Sequence, residues 1–154
     1  MNNKENNLKE KLRQVLTSTA KAISGDFKIN DELDKNKNSK KFDFFSLENL
    51  NSKSDFLKAR AESDSNALKK KFSNVKIFNK NLPSNSSYKS LYFITEKIRY
   101  ELLGFKILKG IEKNIKSNYE KIIELKRKDQ LKNKEDVPAS EAFELYMLKK
   151  FHNI

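Results

Sequence analysis

Apolar positions recur along this chain at spacings of three and four, the period of a helix with one buried face. Over 4–23 the stripe is Leu8, Leu12, Val15, Leu16, Thr19, Ala22 and Ile23. Gly25 follows, where a helix end favours a residue that tolerates positive φ, and Asp26 begins the exit. A second helix starts at a cap on Ser52 or Ser54 and runs to about Phe72, with Leu57, Ala61, Asp64, Leu68 and Phe72 in line. Asp64 interrupts that apolar line, so its carboxylate needs a partner. Between them, 26–52 is the least periodic stretch and reads as an irregular, partly mobile loop. Lys41-Phe42-Asp43-Phe44-Phe45 alternates within it and reads as an extended segment that buries aromatics.

Val75, Ile77, Phe78 and Leu82 mark a short helical or extended connector. Pro83-Ser84-Asn85-Ser86-Ser87 is a turn and cap cluster that opens the longest helix, drawn to Asp129. Its stripe is Leu91, Ile94, Ile98, Leu102, Phe105, Leu108, Ile111, Ile115, Tyr119 and Ile122. Gly104 and Gly110 lie inside it. Each costs about 1 kcal/mol relative to Ala, so close packing of another backbone is the expected reason for both. The segment 126–136 is a charged linker. Val137-Pro138 introduces a short closing helix over 137–154, with Ala142, Phe143, Leu145, Tyr146 and Leu148 as its apolar content. The predicted fold is all-α: three main helices, the third long, in a domain spanning 1–125, plus the short C-terminal helix.

Composition supports this class. With 36% hydrophobic against 35% charged residues, only helices that are polar on one face can bury a core. Three glycines and two prolines are too few for the turns of a sandwich or barrel. Cysteine is absent and His152 is the single histidine, which excludes a zinc ribbon, a thiolate nucleophile and a Ser-His or Cys-His device in mid-chain. MNNKENNLKEKL has no apolar core of a signal peptide, and no apolar run reaches the roughly 20 residues of a membrane span. A cytoplasmic location without membrane contact is the expectation.

The formal charge is +12, from 33 Lys+Arg against 21 Asp+Glu, and points first to nucleic acid or a membrane surface. Two features weaken that. Only Arg13, Arg60, Arg99 and Arg127 are arginines, and a lysine and asparagine excess follows from an AT-rich genome without selection for binding. The lysines also interleave with acids (Lys121, Glu124, Lys126, Asp129), as on a solvated helix face. A basic nucleic-acid-binding domain is the alternative reading, and it is disfavoured.

Two pairs carry potential chemistry. Arg60 and Asp64 are i,i+4 neighbours, and Glu96 and Arg99 are i,i+3 neighbours beside Glu101. As a functional site they would be paired carboxylates for acid/base work. As structure they would be a polar network that fixes helix register, which suits arginine forks and the lack of an accompanying histidine. The structural reading is preferred. Asp64, Glu96 and Glu101 could hold a hard cation, but no local spacing resembles a dedicated loop. Phe42, Phe44, Phe45, Tyr88, Tyr92 and Phe93 could stack bases beside lysines, yet most fall on apolar stripes and read as packing.

The residue order on the long helix is itself informative. Glu96-Lys-Ile-Arg99-Tyr-Glu101-Leu-Leu-Gly104-Phe-Lys-Ile-Leu108-Lys-Gly110-Ile-Glu-Lys-Asn114 resembles, without a gap, the E-x-x-R-x-E-x-x-G-x-x-x-[ML]-x-G-x-x-x-N signature of the CobT-type subunit of aerobic, ATP-dependent cobaltochelatase, in its N-terminal region. Thr19-Ala-Lys-Ala22-Ile23-Ser-Gly25-Asp26 resembles T-x-[RK]-A-I-x-G-D, and Arg60-Ala-Glu-Ser-Asp64-Ser-Asn-Ala67-Leu68 resembles R-x-x-x-D-x-x-A-L. Leu82-Pro83 stands at the L-x-P turn without its middle residue, and Pro138-Ala-Ser-Glu-Ala142-Phe-Glu-Leu145 is loosely similar to the closing P-x-A-x-A-x-x-L. All three glycines fall on matched positions, and the resemblance covers most of 8–150.

The resemblance implies a subunit that partners a ring-forming AAA+ ATPase subunit and a large chelatase subunit, in a complex that inserts cobalt into a corrin precursor of cobalamin at the expense of ATP. The family's acidic linker and its von Willebrand A-type domain with a D-x-S-x-S magnesium site are not in this sequence. The expectation is therefore an N-terminal fragment or a stand-alone homologue, in which 1–125 serves as an assembly domain. It would bind no cofactor itself; ATP, magnesium and cobalt belong to the wider complex. It would belong to an enzyme as a non-catalytic part of that complex, and self-association is a further expectation. Arg60, Asp64, Glu96, Arg99 and Glu101 are the expected polar network, with Gly104 and Gly110 as packing positions.

Overall fold

The computed structural model describes residues 3–28, 52–129 and 137–154. The extended segment expected at 41–45, most of the 26–52 loop and 130–136 of the linker lie outside them. Among the described residues every regular element is helical: α1 Asn3–Ser24, α2 Lys53–Phe72, α3 Val75–Lys80, α4 Ser86–Ile107, α5 Lys109–Asp129 and α6 Ala139–Met147, closed by a π turn at Leu148–His152. The chain forms two compact units, 1–71 and 72–154.

In the first unit, α1 buries Leu16, Thr17, Ala20 and Ile23. The buried face is narrower than the predicted stripe, since Leu8 and Val15 are exposed. The helix ends as expected. Gly25 takes φ +74° and its N–H donates to the Lys21 carbonyl at 2.9 Å, an αL cap that satisfies an otherwise unpaired acceptor. Lys71 Nζ donates to the Ile23 carbonyl at 3.0 Å, and Lys70 pairs with Asp26. Cations at a helix C-terminus also suit the macrodipole. Ser52 caps α2: its hydroxyl accepts from the Asp55 N–H at 3.2 Å, while Asp55 Oδ2 accepts from the Ser52 N–H at 2.9 Å. That reciprocal pair is a capping box with Asp in place of Glu.

In the second unit α4 is central, with α5, α6 and the π turn packed on it. The predicted long helix is broken at Leu108, which is extended (φ −132°, ψ 92°). The Leu108 N–H closes α4 on the Gly104 carbonyl at 2.9 Å, and its own carbonyl accepts from Ile111 and Glu112 to open α5. The reason is burial. A straight helix from 86 to 129 would be roughly 65 Å long and would leave its apolar stripe uncovered. Folding back lets Ile98 and Phe105 of α4 and Ile111, Ile115 and Tyr119 of α5 all leave solvent. Lys97 Nζ sits 5.0 Å from the Tyr119 ring centroid, and Lys116 Nζ 6.0 Å from that of Phe105, contacts only an antiparallel hairpin permits.

Asn85 caps α4, accepting from the N–H groups of Ser87 and Tyr88 at 2.9 and 3.3 Å. Lys126 Nζ pairs with Glu141 at 2.6 Å and joins the end of α5 to the start of α6. After the π turn, Asn153 adopts φ 56°, one of the few non-glycine residues that tolerate the left-handed region.

Candidate functional site

The polar residues of α4 divide into two clusters. In the first, Glu96 and Arg99 face each other one turn apart. Arg99 Nε donates to Glu96 Oε2 at 2.7 Å and Nη2 to Oε1 at 2.8 Å, a bidentate fork. Nη2 also donates to the Phe72 carbonyl at 2.8 Å, and the Ser73 hydroxyl donates to Glu96 Oε1 at 2.6 Å. The pair therefore fastens α4 to the first two residues of its own unit. The Glu96 carboxylate beside it holds the Arg99 guanidinium above its ordinary value.

The second cluster is fully internal. Glu101, Tyr119 and His152 come from α4, α5 and the π turn, and all three are buried. His152 Nε2 lies 2.9 Å from Glu101 Oε2, so in the neutral ring Nε2 carries the proton. The Tyr119 hydroxyl donates to the same oxygen at 3.1 Å. Phe105 and Tyr119 meet the imidazole edge-on, with centroids 4.7 and 5.8 Å away. His152 Nδ1 has no hydrogen-bond partner among the described residues. Burial, and then the Glu101 charge, push the Tyr119 phenol far above its ordinary range.

Carboxylate, imidazole and phenol are groups that acid/base chemistry uses. Here they are spent on one another. The His152 side chain is 0% exposed, and no substrate proton can reach it without opening the unit. What the arrangement does is tie three helical segments at one point. Among the described residues no group of three or more His, Cys, Asp or Glu side chains could hold a metal ion, and no helix is long and apolar enough to cross a membrane.

The residues singled out in the sequence are placed as follows. Arg60 is exposed and Asp64 buried, both on α2 in the first unit. In the second unit Glu96 and Arg99 pair as expected from their spacing, while Glu101 engages Tyr119 and His152 instead. Gly104 is buried and its carbonyl accepts the bond that ends α4. Gly110 differs from the close packing expected of it. It is exposed in the first turn of α5, past the break, and a Cβ there would meet nothing within 4 Å. His152 and Tyr119 were missed as site residues. The signal was Glu101 itself, three and four residues from the buried Ile98 and Phe105, a position that demands polar partners from elsewhere in the fold.

Along α5 the lysines are interleaved with acids in three dimensions as well. Glu112 pairs with Lys109 and Lys116 at 3.0 and 2.9 Å, and Lys121 with Glu124 at 2.9 Å.

The family model described as cobalamin biosynthesis protein CobT matches residues 6–151. No curated protein and no solved structure matches the chain.

Proposed function

Because this chain belongs to the CobT family of cobalamin biosynthesis proteins, we propose that it acts as a non-catalytic protein-binding domain of a cobaltochelatase-type AAA+ assembly. Its partners on this reading are the ring-forming ATPase subunit and the large chelatase subunit, and its work supports ATP-dependent insertion of cobalt into a corrin precursor. ATP, magnesium and the cobalt substrate are handled by the rest of the complex. The observation that supports this is the way α4 spends its polar residues. Glu96 and Arg99 bind the backbone and side chain at 72–73, and Glu101 binds α5 and the C-terminal turn. A helix tied at two points to the segments around it suits the transmission of motion between partners.

The basic alternative, nucleic-acid binding through lysines, is less well supported. Lys109, Lys116, Lys121 and Lys126 are paired to carboxylates rather than gathered into a stripe free of acids.

The test is co-expression with the AAA+ ATPase encoded nearest to this chain, followed by size-exclusion chromatography with light scattering, with and without ATP and Mg²⁺. A stable co-eluting complex is the expected result. A well-folded chain that elutes alone under every nucleotide condition would reject the assembly reading.

A further inference from the structure

A groove of about 640 Å³ opens in the second unit between α5 and the C-terminal segment, which each pack on α4. Its lining follows from helical spacing. Glu120, Ile123 and Glu124 are three and four residues apart and share one face of α5. Leu145 and Lys149 stand four apart on the facing wall, which Ile154 completes. Ile123, Leu145 and Ile154 are half-buried, whereas Glu120, Glu124 and Lys149 are exposed. An aliphatic lining inside a polar rim is the anatomy of a protein interface. The volume lies within the range of about 300–1,000 Å³ usual for binding clefts. The C-terminal wall is also held in place, because His152, three residues after Lys149, is bonded to Glu101 in the interior.

The rim carries both signs, one on each wall. Glu120 and Lys149 make no hydrogen bond or ion pair among the described residues. Elsewhere in this unit acids and lysines close on each other: Glu112 on Lys109 and Lys116, Glu124 on Lys121, Glu141 on Lys126. Glu120 and Lys149 instead keep their charges for something that lies between them. We infer that the groove takes an amphipathic helical segment of a partner subunit, with an aliphatic ridge flanked by Lys or Arg on one edge and by Asp or Glu on the other. The ridge would cover Ile123, Leu145 and Ile154, the basic edge would meet Glu120, and the acidic edge would meet Lys149. Nucleic acid fits this groove less well, because the Glu120 and Glu124 carboxylates line its α5 wall and repel phosphate.

This inference rests on the assembly reading above and names the surface and the partner chemistry it would use, so its test has two arms. Both compare wild type with Glu120→Lys, Lys149→Glu and the double exchange, which leaves the net charge as it was. The two side chains are exposed and unbonded, so all the variants should melt like wild type. In the first arm each protein is co-purified with the ATPase and large chelatase subunits. If wild type forms the complex and each single variant loses at least about tenfold in affinity, both readings stand. If wild type forms the complex and the single variants show any other pattern, the assembly reading survives and the groove is overturned. Equal binding is one such pattern; opposite shifts in the two single variants, as net charge alone would give, are another.

The second arm decides the groove when wild type forms no complex. A fluorescein-labelled peptide of about 15 residues, with Leu at helical spacing, Lys along one edge and Glu along the other, is titrated against all four proteins. The expected result is binding that weakens at least about tenfold in each single variant and recovers in the double exchange, because a helix laid in the opposite direction exchanges its edges. No binding to wild type, equal binding to all four proteins, or no recovery in the double exchange overturns the inference.

Discussion

His152 Nε2 lies 2.9 Å from Glu101 Oε2, joining the C-terminal turn to the C-terminal half of α4 across 51 residues of sequence. Both side chains are buried, so the contact is made in a low-dielectric interior, where a polar group is either well paired or costly. The π turn at Leu148–His152 brings the ring to this place, and Leu148 and His152 are its two buried residues. A widened turn at this point has a definite job: it delivers the imidazole to the carboxylate.

His152→Ala should therefore be among the most damaging single changes in the second unit. It removes the donor to Glu101 and the edge contacts to Phe105 and Tyr119, and leaves a buried carboxylate short of a partner. The expected loss is about 3–5 kcal/mol. Glu101→Gln keeps the shape and an acceptor oxygen and should cost less, about 1–2 kcal/mol. Urea unfolding of both variants checks the order. Equal stability of His152→Ala and wild type would dismiss the clasp.

Tyr119 predicts the alkaline behaviour. Its folded phenol is pushed above the ordinary value of 10.0, first by burial and then by the Glu101 charge. A raised folded pKa gives stability that is complete below the unfolded value and is lost as pH rises past it. From about pH 10 upward the unfolded chain ionises and the folded one does not, so this residue should remove about 1.4 kcal/mol per pH unit. Tyr119→Phe cannot ionise and should lack that slope, while losing about 1.5–3 kcal/mol at neutral pH with its bond to the carboxylate. Urea midpoints of the two proteins on either side of pH 10 decide the matter.

Local chemistry was readable in the sequence and the chain reversal was not. Ser52 and Ser54 both suit a cap, and the Asp55 carboxylate shows why Ser52 is the one used. Gly25 sits at a left-handed helix end, and Glu96 pairs with Arg99 at i,i+3 spacing. Each depends on residues within one turn. The break at Leu108 left no trace because the apolar spacing of three and four continues through it, and periodicity records which face is buried but not against what. The partners of Glu101 come from 18 and 51 residues away, so its site is a property of the tertiary fold. Val15 is apolar and on the predicted stripe of α1, yet exposed, because the buried arc there passes through Thr17 and Ala20.

The two exposed glycines should respond to alanine in opposite directions. Gly110 sits in helical backbone with open space where a Cβ would go, so Gly110→Ala should stabilise by about 0.5–1 kcal/mol. Gly25 also has room for a Cβ, but its φ of +74° is one that L-residues enter at a cost. Gly25→Ala should destabilise by about 1–2 kcal/mol although it meets no atom. Thermal melts of the pair separate backbone preference from packing.

Acid should loosen the exit of α1. The hydrogen bond from Lys70, and then that from the Lys28 N–H, hold the Asp26 carboxyl below its ordinary value of 3.8. A lowered folded pKa gives stability that is present above the unfolded value and fades as pH falls through it toward the folded one. The contribution is thus complete at neutral pH and disappears below about pH 4. Asp26→Asn should show a shallower acid limb than wild type in pH-dependent unfolding, and an identical limb would mean that the Lys70 contact contributes nothing in solution.

Arg99 distinguishes geometry from charge. Its side chain is 45% exposed, so solvent screens the attraction to Glu96 and the pair alone is worth little. The additional bond to the Phe72 carbonyl raises the expected cost of Arg99→Ala to about 1–2 kcal/mol. Arg99→Lys keeps the charge but replaces a planar fork by three donors on one nitrogen, which cannot reproduce the spacing of the Nε and Nη2 contacts to Glu96 and the carbonyl. It should recover less than half of the loss, and the deficit should persist at high salt, where a purely coulombic contribution would be screened away. A lysine variant as stable as wild type would show that charge, and not the fork, fastens α4 at this end.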